Sequence, residues 1–533
     1  MIGRARLLQQ GGRPADAALA LRQAVAWAPA LADAHHHLAL LLQPVAVPAL
    51  VERLIGRAVS CAPEAADARG NLALSLCDQR RPEAAAASAR WAVVLDPAYA
   101  NGHNNLGRTF KERTRPDEAA VCFRRAALLV PHATMGWINL GDALEELRRI
   151  DPALDCARTA LAVDPASHAA WNNRGHLLQG RGDAAAATCL RRAIRLRPNY
   201  AAAHLNLGMS LLQQGDLPEG WREYEWWRPM APVLPGWQGT PETRWRGQDL
   251  RGKTLLLRGE QGLGDVLQFS RYASLFARAG AQVVLEVHPP LVDVLATVPG
   301  VVKTVAMGEV PPRHDYHLQM MSAPALLGTS LDTIPAEIPY LAAQPAAAAA
   351  WRERLSGLRG PRIGLVWGGN PRADDPAAHL VDRRRSVMLA QLAPLLKRPG
   401  LNFVSLQKGE PAAQIGDLPP ELRPFDAMDE VGDFAATAAL CANLDLVVTV
   451  DTSVAHLAGA LGRPVWILSR HDGCWRWLLG RDDSPWYPTA RLFRQREPGD
   501  WDEVVARVGQ ALDDQASWYS SAEKREAEKL SDQ

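Results

Sequence analysis

Residues 98–131 read AYANGHNNLGRTFKERTRPDEAAVCFRRAALLVP. The segment closes on Pro131, and the same residue type returns at Pro29, Pro63, Pro97, Pro165 and Pro198, at intervals of 34 or 33 residues. A period of 34 is that of stacked helix–turn–helix units, each of which buries its apolar face only against its neighbours. Ala24, Ala58, Ala92, Ala126, Ala160 and Ala193 lie five residues before each proline, where a small side chain lets two helices approach. Ala73, Gly107, Gly141, Gly175 and Gly208 hold a second small position earlier in the unit, with Leu72, Leu106, Leu140 and Leu207 just before it. Proline cannot continue a helical hydrogen-bond ladder, so it ends the second helix of each unit. The pattern predicts an all-α solenoid of about seven units over residues 1–228. Such solenoids hold partners, so any chemistry belongs to the rest of the chain.

With Trp137 and Trp171 further upstream, the pattern resembles the tetratricopeptide repeat (TPR). One slot stands out. Asn71, Asn105, Asn139, Asn173 and Asn206 share one phase of five consecutive units, although asparagine is a mediocre helix former. An amide both donates and accepts, which suits an extended peptide backbone. Protein O-GlcNAc transferases have a similar asparagine row on the concave TPR face, and that resemblance implies a peptide groove. The alternative is that the amides bond neighbouring helices.

The charge balance, 59 basic against 58 acidic residues for a net charge of +1, gives no electrostatic case for nucleic acid or an anionic membrane. No apolar run is long enough to span a bilayer, and the start carries no signal-peptide pattern. Seven cysteines form no CxxC pair and no metal spacing. Cys122, Cys156 and Cys189 fill one equivalent small slot nine residues before a repeat proline, as buried thiols would. Free cysteines without an export signal point to the cytoplasm. Residues 221–245 carry five tryptophans and four prolines. A Trp/Pro-rich junction over residues 229–250 is expected, fixed rather than flexible because an exposed linker does not carry so much aromatic area.

From Lys253 short apolar runs alternate with helical patterns, first TLLLRG, AQVVLEV and VKTVAM, then PRIGLVWGGN, LNFVSLQKG, DLVVTVD and RPVWILS. This is the rhythm of two Rossmann-like α/β domains, expected at 251–350 and 351–515, ahead of a polar tail at 516–533. The first strand runs into GEQGLGD, residues 259–265, which is not the dinucleotide fingerprint G-x-G-x-x-G. An acid at that helix start also repels a pyrophosphate. Asp265 is therefore either a general base at the mouth of a cleft or a residue that closes the helix start. Later, VTVDTSVAHLAGALGRPVWIL, residues 448–468, ends a strand at Asp451 and opens a helix whose first amides, with Thr452 and Ser453, suit phosphate. His456 there reads as a ligand-side residue or as a packed histidine.

GLGDVLQ followed far downstream by DTSVAHLAGALGRPVW is similar to the heptosyltransferase-type glycosyltransferases of family 9, and closer still to their TPR-fused bacterial relatives. The resemblance covers roughly residues 253–508 and, with the repeats, almost the whole chain. It implies the GT-B fold and an inverting, metal-independent transfer from a nucleotide-sugar substrate, with no cofactor. By position it makes Asp265 the catalytic base, with Gly262 and Gly264 shaping its loop, and it places Asp451, Thr452, Ser453 and His456 at the donor. The family's phosphate-neutralising lysine has no counterpart. Arg385 and Ser386 are assigned to the diphosphate instead, the alternative for the Arg383–Arg385 run being a solvated helix entry. Gly369, Asn370, Gln407 and Lys408 end strands where ligands of such sheets bind. Trp475 and Arg476 either close over sugar or acceptor or pack the returning C-terminal segment. A protein acceptor recruited by the TPR groove best explains the solenoid. The rivals are an enzyme of lipid-linked or polysaccharide assembly whose repeats dock a partner enzyme, and a non-catalytic scaffold.

Overall fold

In the computed structural model, which describes residues 1–43, 47–230, 242–372 and 376–514, the chain forms two compact units. Residues 1–179 and 188–200 make the first, and residues 180–187 with everything from 201 onward make the second. The expected tail at 516–533 and residues 231–241 of the expected junction lie outside the described residues.

The first unit is a run of helical hairpins, and the quoted segment shows how each is specified. Helix α1 (Ala100–Glu112) ends in a turn where Thr114 has φ +54°, the left-handed conformation that stops helices. Helix α2 (Pro116–Leu129) then starts with proline at its first position and Asp117 and Glu118 in its first turn, both favourable at a helix N-terminus. Pro14, Pro48 and Pro82 open the equivalent helices, so a second proline series with the same period marks helix starts. Gly107 is required where the hairpin closes, because a Cβ there would stand 2.6 Å from the Phe123 ring. Ala58, Ala92, Ala126 and Ala160 are buried, as are Cys122, Cys156 and Cys189. Burial pushes the thiols of Cys122 and Cys156 up to about 11. The residue six after five of the repeat prolines bonds the carbonyl of that proline: Trp137 Nε1 donates to Pro131 at 3.0 Å, Trp171 Nε1 to Pro165 at 2.9 Å and Arg69 Nε to Pro63 at 2.8 Å. His35 and His103 make the same contact with Pro29 and Pro97. The tryptophan slot thus satisfies a carbonyl that the helix end leaves open.

The repeat pattern runs to residue 228, but the compact division falls at 200/201. The last hairpin, α3 (Ala201–Gln214) and α4 (Leu217–Tyr224), shares its core with the α/β part: Leu212, Leu217, Trp221 and Tyr224 pack in one cluster with Phe269, Trp475 and Trp486. Downstream, Trp245 meets Phe276 edge-on at 5.1 Å and Trp226 stacks on His204 at 4.1 Å.

Two all-parallel sheets follow. In the first, β1 (Thr254–Arg258), β2 (Gln282–Val287), β3 (Val301–Ala306) and β4 (Tyr316–Gln319) are ordered β3-β2-β1-β4. In the second, β5 (Arg362–Val366), β6 (Asn402–Ser405), β7 (Leu446–Val450), β8 (Val465–Ser469) and β9 (Ala490–Arg494) are ordered β6-β5-β7-β8-β9. β4 and β9 are additions to the strands read from the sequence. Each order reverses direction beside its first strand, at β1/β4 and at β5/β7, and ligands of such sheets bind at the carboxyl ends there. The expected boundary at 350/351 falls inside the helix Pro345–Arg354 and does not divide the fold. Instead one hydrophobic core runs through both sheets. Arg271 ties the halves together: buried among Tyr340, Trp486 and Tyr487, it donates to the carbonyls of Gln268 and Trp486 and to the Tyr340 hydroxyl. No described helix is long and apolar enough to cross a membrane.

Candidate active site

The loop after β1 is held from several sides. Gly259 N–H bonds the Glu286 carbonyl at 2.8 Å, and a Cβ on Gly259 would strike Val266. Gln261 sits at φ +63°, a conformation that L residues adopt at a cost and that surrounding contacts must maintain. Here the Gln261 amide donates to Tyr224 Oη at 3.2 Å and its carbonyl bonds His288 Nε2 at 3.0 Å. Glu260 is buried and accepts the backbone N–H groups of Met320 (3.1 Å) and Met321 (2.8 Å), tying the loop to the end of β4. Burial pushes its carboxyl up to about 8, against the pull of those two amides. The sequence reading missed Glu260, which carries no local sign of burial.

Helix α5 (Leu263–Phe269) starts at Gly262, whose N–H donates to Asp265 Oδ2 at 2.9 Å. Asp265 therefore closes the helix start with one oxygen. Its other oxygen, Oδ1, accepts from Arg476 Nη2. Trp475 packs as the second of its two readings expects, and Arg476 pairs with Asp265. Trp475 is buried, edge-on to Trp221 at 5.1 Å, whereas Arg476 reaches the candidate base across the halves.

The second anchor lies opposite. Helix α8 (Ser453–Ala460; α6 and α7 being Pro376–Arg385 and Phe434–Cys441) follows β7 directly, with Thr452 as N-cap. A Cβ on Gly264 would stand 2.8 Å from His456 Cδ2 and 3.4 Å from Ser453 Cα, so only glycine lets α5 approach this turn. Thr452 Oγ1 pairs with Thr449 Oγ1 at 3.1 Å. His456 is 4% exposed, stacks on Trp477 at 5.3 Å and shares its Nδ1 with Tyr487 Oη at 3.0 Å. It is a packed histidine that supports the turn, and burial pushes its imidazole down to about 4. An unfolded chain takes up that proton near the ordinary 6.5, so His456 withdraws stability as pH falls from about 6.5 to about 4, at about 1.4 kcal/mol per unit. In His456→Gln this component is absent. Urea unfolding from pH 7.5 to 4.5 is expected to show the wild type losing its margin over the variant by that slope.

At the end of β5, Gln407 Oε1 accepts from Trp367 N–H (3.0 Å) and Gly368 N–H (2.8 Å), and its Nε2 donates to the Gly368 carbonyl at 3.0 Å. Gln407 is thus a buried brace for the Gly368–Asn370 turn, and Lys408 Nζ is bonded to the Val431 carbonyl. Asn370 accepts from Arg372 N–H at 3.1 Å and stays exposed. Gly369 N–H donates to Ser386 Oγ at 3.1 Å, and a Cβ on Gly369 would lie 2.0 Å from Asp382 Oδ1. Arg385 donates to Asp382 through Nε (3.0 Å) and Nη2 (2.8 Å), and through Nη1 to the carbonyl of Asp451 at 3.1 Å. The structure therefore brings Asp265, Arg476, Asp451, Ser453, Arg385, Ser386 and Gly369 to the carboxyl ends of β1, β5 and β7. Among the described residues no group of three or more His, Cys, Asp or Glu side chains is placed to hold a metal ion.

The asparagines of the first unit bond backward along the solenoid. Asn71 Nδ2 contacts His36 Nε2 at 2.6 Å, Asn105 Nδ2 donates to the Gly70 carbonyl at 2.7 Å, and Asn139 and Asn173 bond Asn104 and Asp142. These donors bridge neighbouring repeats, the second of the two readings of the row. Asn206 lies on α3, in the other unit.

Comparison with known proteins bears on both parts. Residues 183–215, and 104–155 with 138–190, match two tetratricopeptide-repeat families, and residues 432–468 match glycosyltransferase family 9 (heptosyltransferase). That last span contains Asp451, Thr452, Ser453 and His456. Protein FlbA of Caulobacter vibrioides is 32% identical over 337 residues, 58% of this chain and 54% of its own length, so the chain spans about half of that curated relative. Among solved structures, Pseudomonas aeruginosa PilF aligns with TM-score 0.34 and 21% identity over 43% of this chain and 96% of its own. YrrB, described as a TPR protein with an unusual peptide-binding site, aligns with TM-score 0.28 and 20% identity over 35% of this chain and 96% of its own. The chain thus carries sequence of two kinds, tetratricopeptide repeats along its helical part and, around the turn after β7, a segment matching the heptosyltransferase family of glycosyltransferases.

Proposed function

We propose that the protein is an inverting glycosyltransferase that moves a sugar from a nucleotide-sugar donor to a hydroxyl of a protein acceptor brought in by its TPR unit. The observation that supports this reading is the close packing of Gly264, next to Asp265, on Ser453 and His456, which joins the segment read as the base to the turn read as the phosphate site. The family 9 match over residues 432–468 supports the donor side, and the repeats support a protein-binding role for the other part.

In the proposed reaction the acceptor hydroxyl gives its proton to the Asp265 carboxylate. The acceptor oxygen bonds the anomeric carbon, and the bond from that carbon to the β-phosphate oxygen breaks, its electron pair leaving with the nucleoside diphosphate. Thr452, Ser453 and Arg385 stabilise the charge that develops on the diphosphate, Arg385 being already oriented by Asp382. No metal ion and no cofactor take part. None of the seven cysteines is in a disulfide, in accord with a cytoplasmic site of action, where nucleotide sugars are at hand.

A ligand that binds only the native state raises its stability, by about 2.7 kcal/mol at 100 times its dissociation constant. One member of a panel of UDP-, GDP-, ADP- and CDP-linked sugars is therefore expected to raise the melting temperature by several degrees. A panel that leaves the transition unmoved would reject the donor site.

A further inference from the structure

Both oxygens of Asp265 are engaged, Oδ2 by Gly262 N–H at 2.9 Å and Oδ1 by Arg476. Arg476 comes from the donor-side half, on the tight turn Trp475–Trp477 that follows β8, 211 residues further along the chain. Its guanidinium lies 4.2 Å from the centre of the Trp475 ring, and its Nη1 donates to Cys474 Sγ, a weak acceptor, at 3.0 Å. Its Nε is buried with no hydrogen-bond partner among the described residues. The side chain is only 11% exposed, and that of Asp265 18%. A guanidinium carries five N–H donors, yet among the described residues this one meets a single charged acceptor. Asp451, Asp265 and Arg271 are close enough, with Arg476, to act electrostatically on His456, so Arg476 belongs to the same charge cluster as the turn after β7.

We propose that Arg476 serves two anions in turn. With the donor site empty it holds the Asp265 carboxylate. When a nucleotide donor arrives it transfers to the diphosphate and leaves Asp265 free to take the proton of the acceptor. This inference rests on the assignment of Asp265 and the donor site made above. A diphosphate outcompetes the carboxylate because it brings more negative charge and a geometry that the planar fork can grip at two points. The exchange masks the base until the sugar is seated. It thereby imposes donor-before-acceptor order and denies water an activated route to the donor.

The test is the affinity of ADP, GDP, UDP and CDP for the full chain, measured by calorimetry on wild type, Asp265→Asn, Asp265→Ala, Arg476→Gln, Arg476→Lys and the double variant Asp265→Ala/Arg476→Gln. Releasing Arg476 from its competitor is expected to tighten binding of the preferred diphosphate about tenfold in both Asp265 variants, the size of one charged hydrogen bond. Arg476→Gln weakens it by a similar factor, Arg476→Lys recovers part of the loss, and Asp265→Ala has no further effect in the double variant. Unchanged or weaker binding in Asp265→Asn, which keeps the shape of the side chain, would make Arg476 a fixed clamp and overturn the exchange while leaving the donor site in place. Failure of all four diphosphates to bind wild type would overturn the donor site and the exchange together.

Discussion

Sugar transfer by the Asp265→Asn protein is expected to run ~10²–10⁴-fold slower than wild type, the range lost when a positioned general base is removed. Asparagine suits this test because its side-chain oxygen can still accept from Gly262 N–H and keep the start of α5 closed. The fold should therefore survive, and the loss should fall on turnover rather than on donor affinity. Single-turnover measurements at saturating donor separate the two quantities. A rate within threefold of wild type would show that Asp265 only closes the helix, a role the structure already gives to its Oδ2.

The second large effect is on stability. Trp221 is 1% exposed and meets Phe269, Trp475 and Trp486 edge-on at 5.7, 5.1 and 6.4 Å. Trp221→Ala removes the centre of this aromatic group and is expected to cost about 3–5 kcal/mol, the range for a large aromatic truncated in a packed core. The loss should be local to the second unit. With two compact units in the chain, denaturant unfolding need not be a single transition. The expected result is a lower midpoint for the transition reported by the α/β part and an unmoved one for the helical part. Trp221→Phe should recover much of the difference. Because Trp475 packs on Trp221 and lies beneath Arg476, the alanine variant also loosens the partner of Asp265.

The solenoid was legible because its rule is local and repeated. Pro131 and its equivalents stop helices, Gly107 and Ala126 let helices touch, and any one unit states the rule in full. The companion series at Pro14, Pro48, Pro82 and Pro116 was equally visible, and would have placed the helix starts as well as the ends. The strands read correctly were the apolar ones, such as Leu446–Val450, buried at every position. β4, with the sequence YHLQ, and β9, with ARLFR, are short and carry polar or charged residues, so their edge positions hide them from an apolar count. At the site, the positions of Asp265 and Ser453 followed from strand ends and motif resemblance. Their neighbours did not. The burial of Glu260 depends on the amides of Met320 and Met321, sixty residues away in the chain. For His456 and the asparagines, one residue type suits two environments equally well, and their bonds to Tyr487 and to the preceding repeat are set by packing that no local pattern reveals.

The hairpin Ala201–Tyr224 reads as the last of the repeats yet is built into the enzyme-like half. It follows that the two parts were not joined as interchangeable beads. A graft that replaced every repeat up to residue 228 would tear out the indole around which Phe269 and Trp475 are arranged, whereas an exchange ending at residue 200 would spare it. A change in the number of repeats that keeps the α/β core intact is therefore expected to fall upstream of that seam, with the hairpin retained.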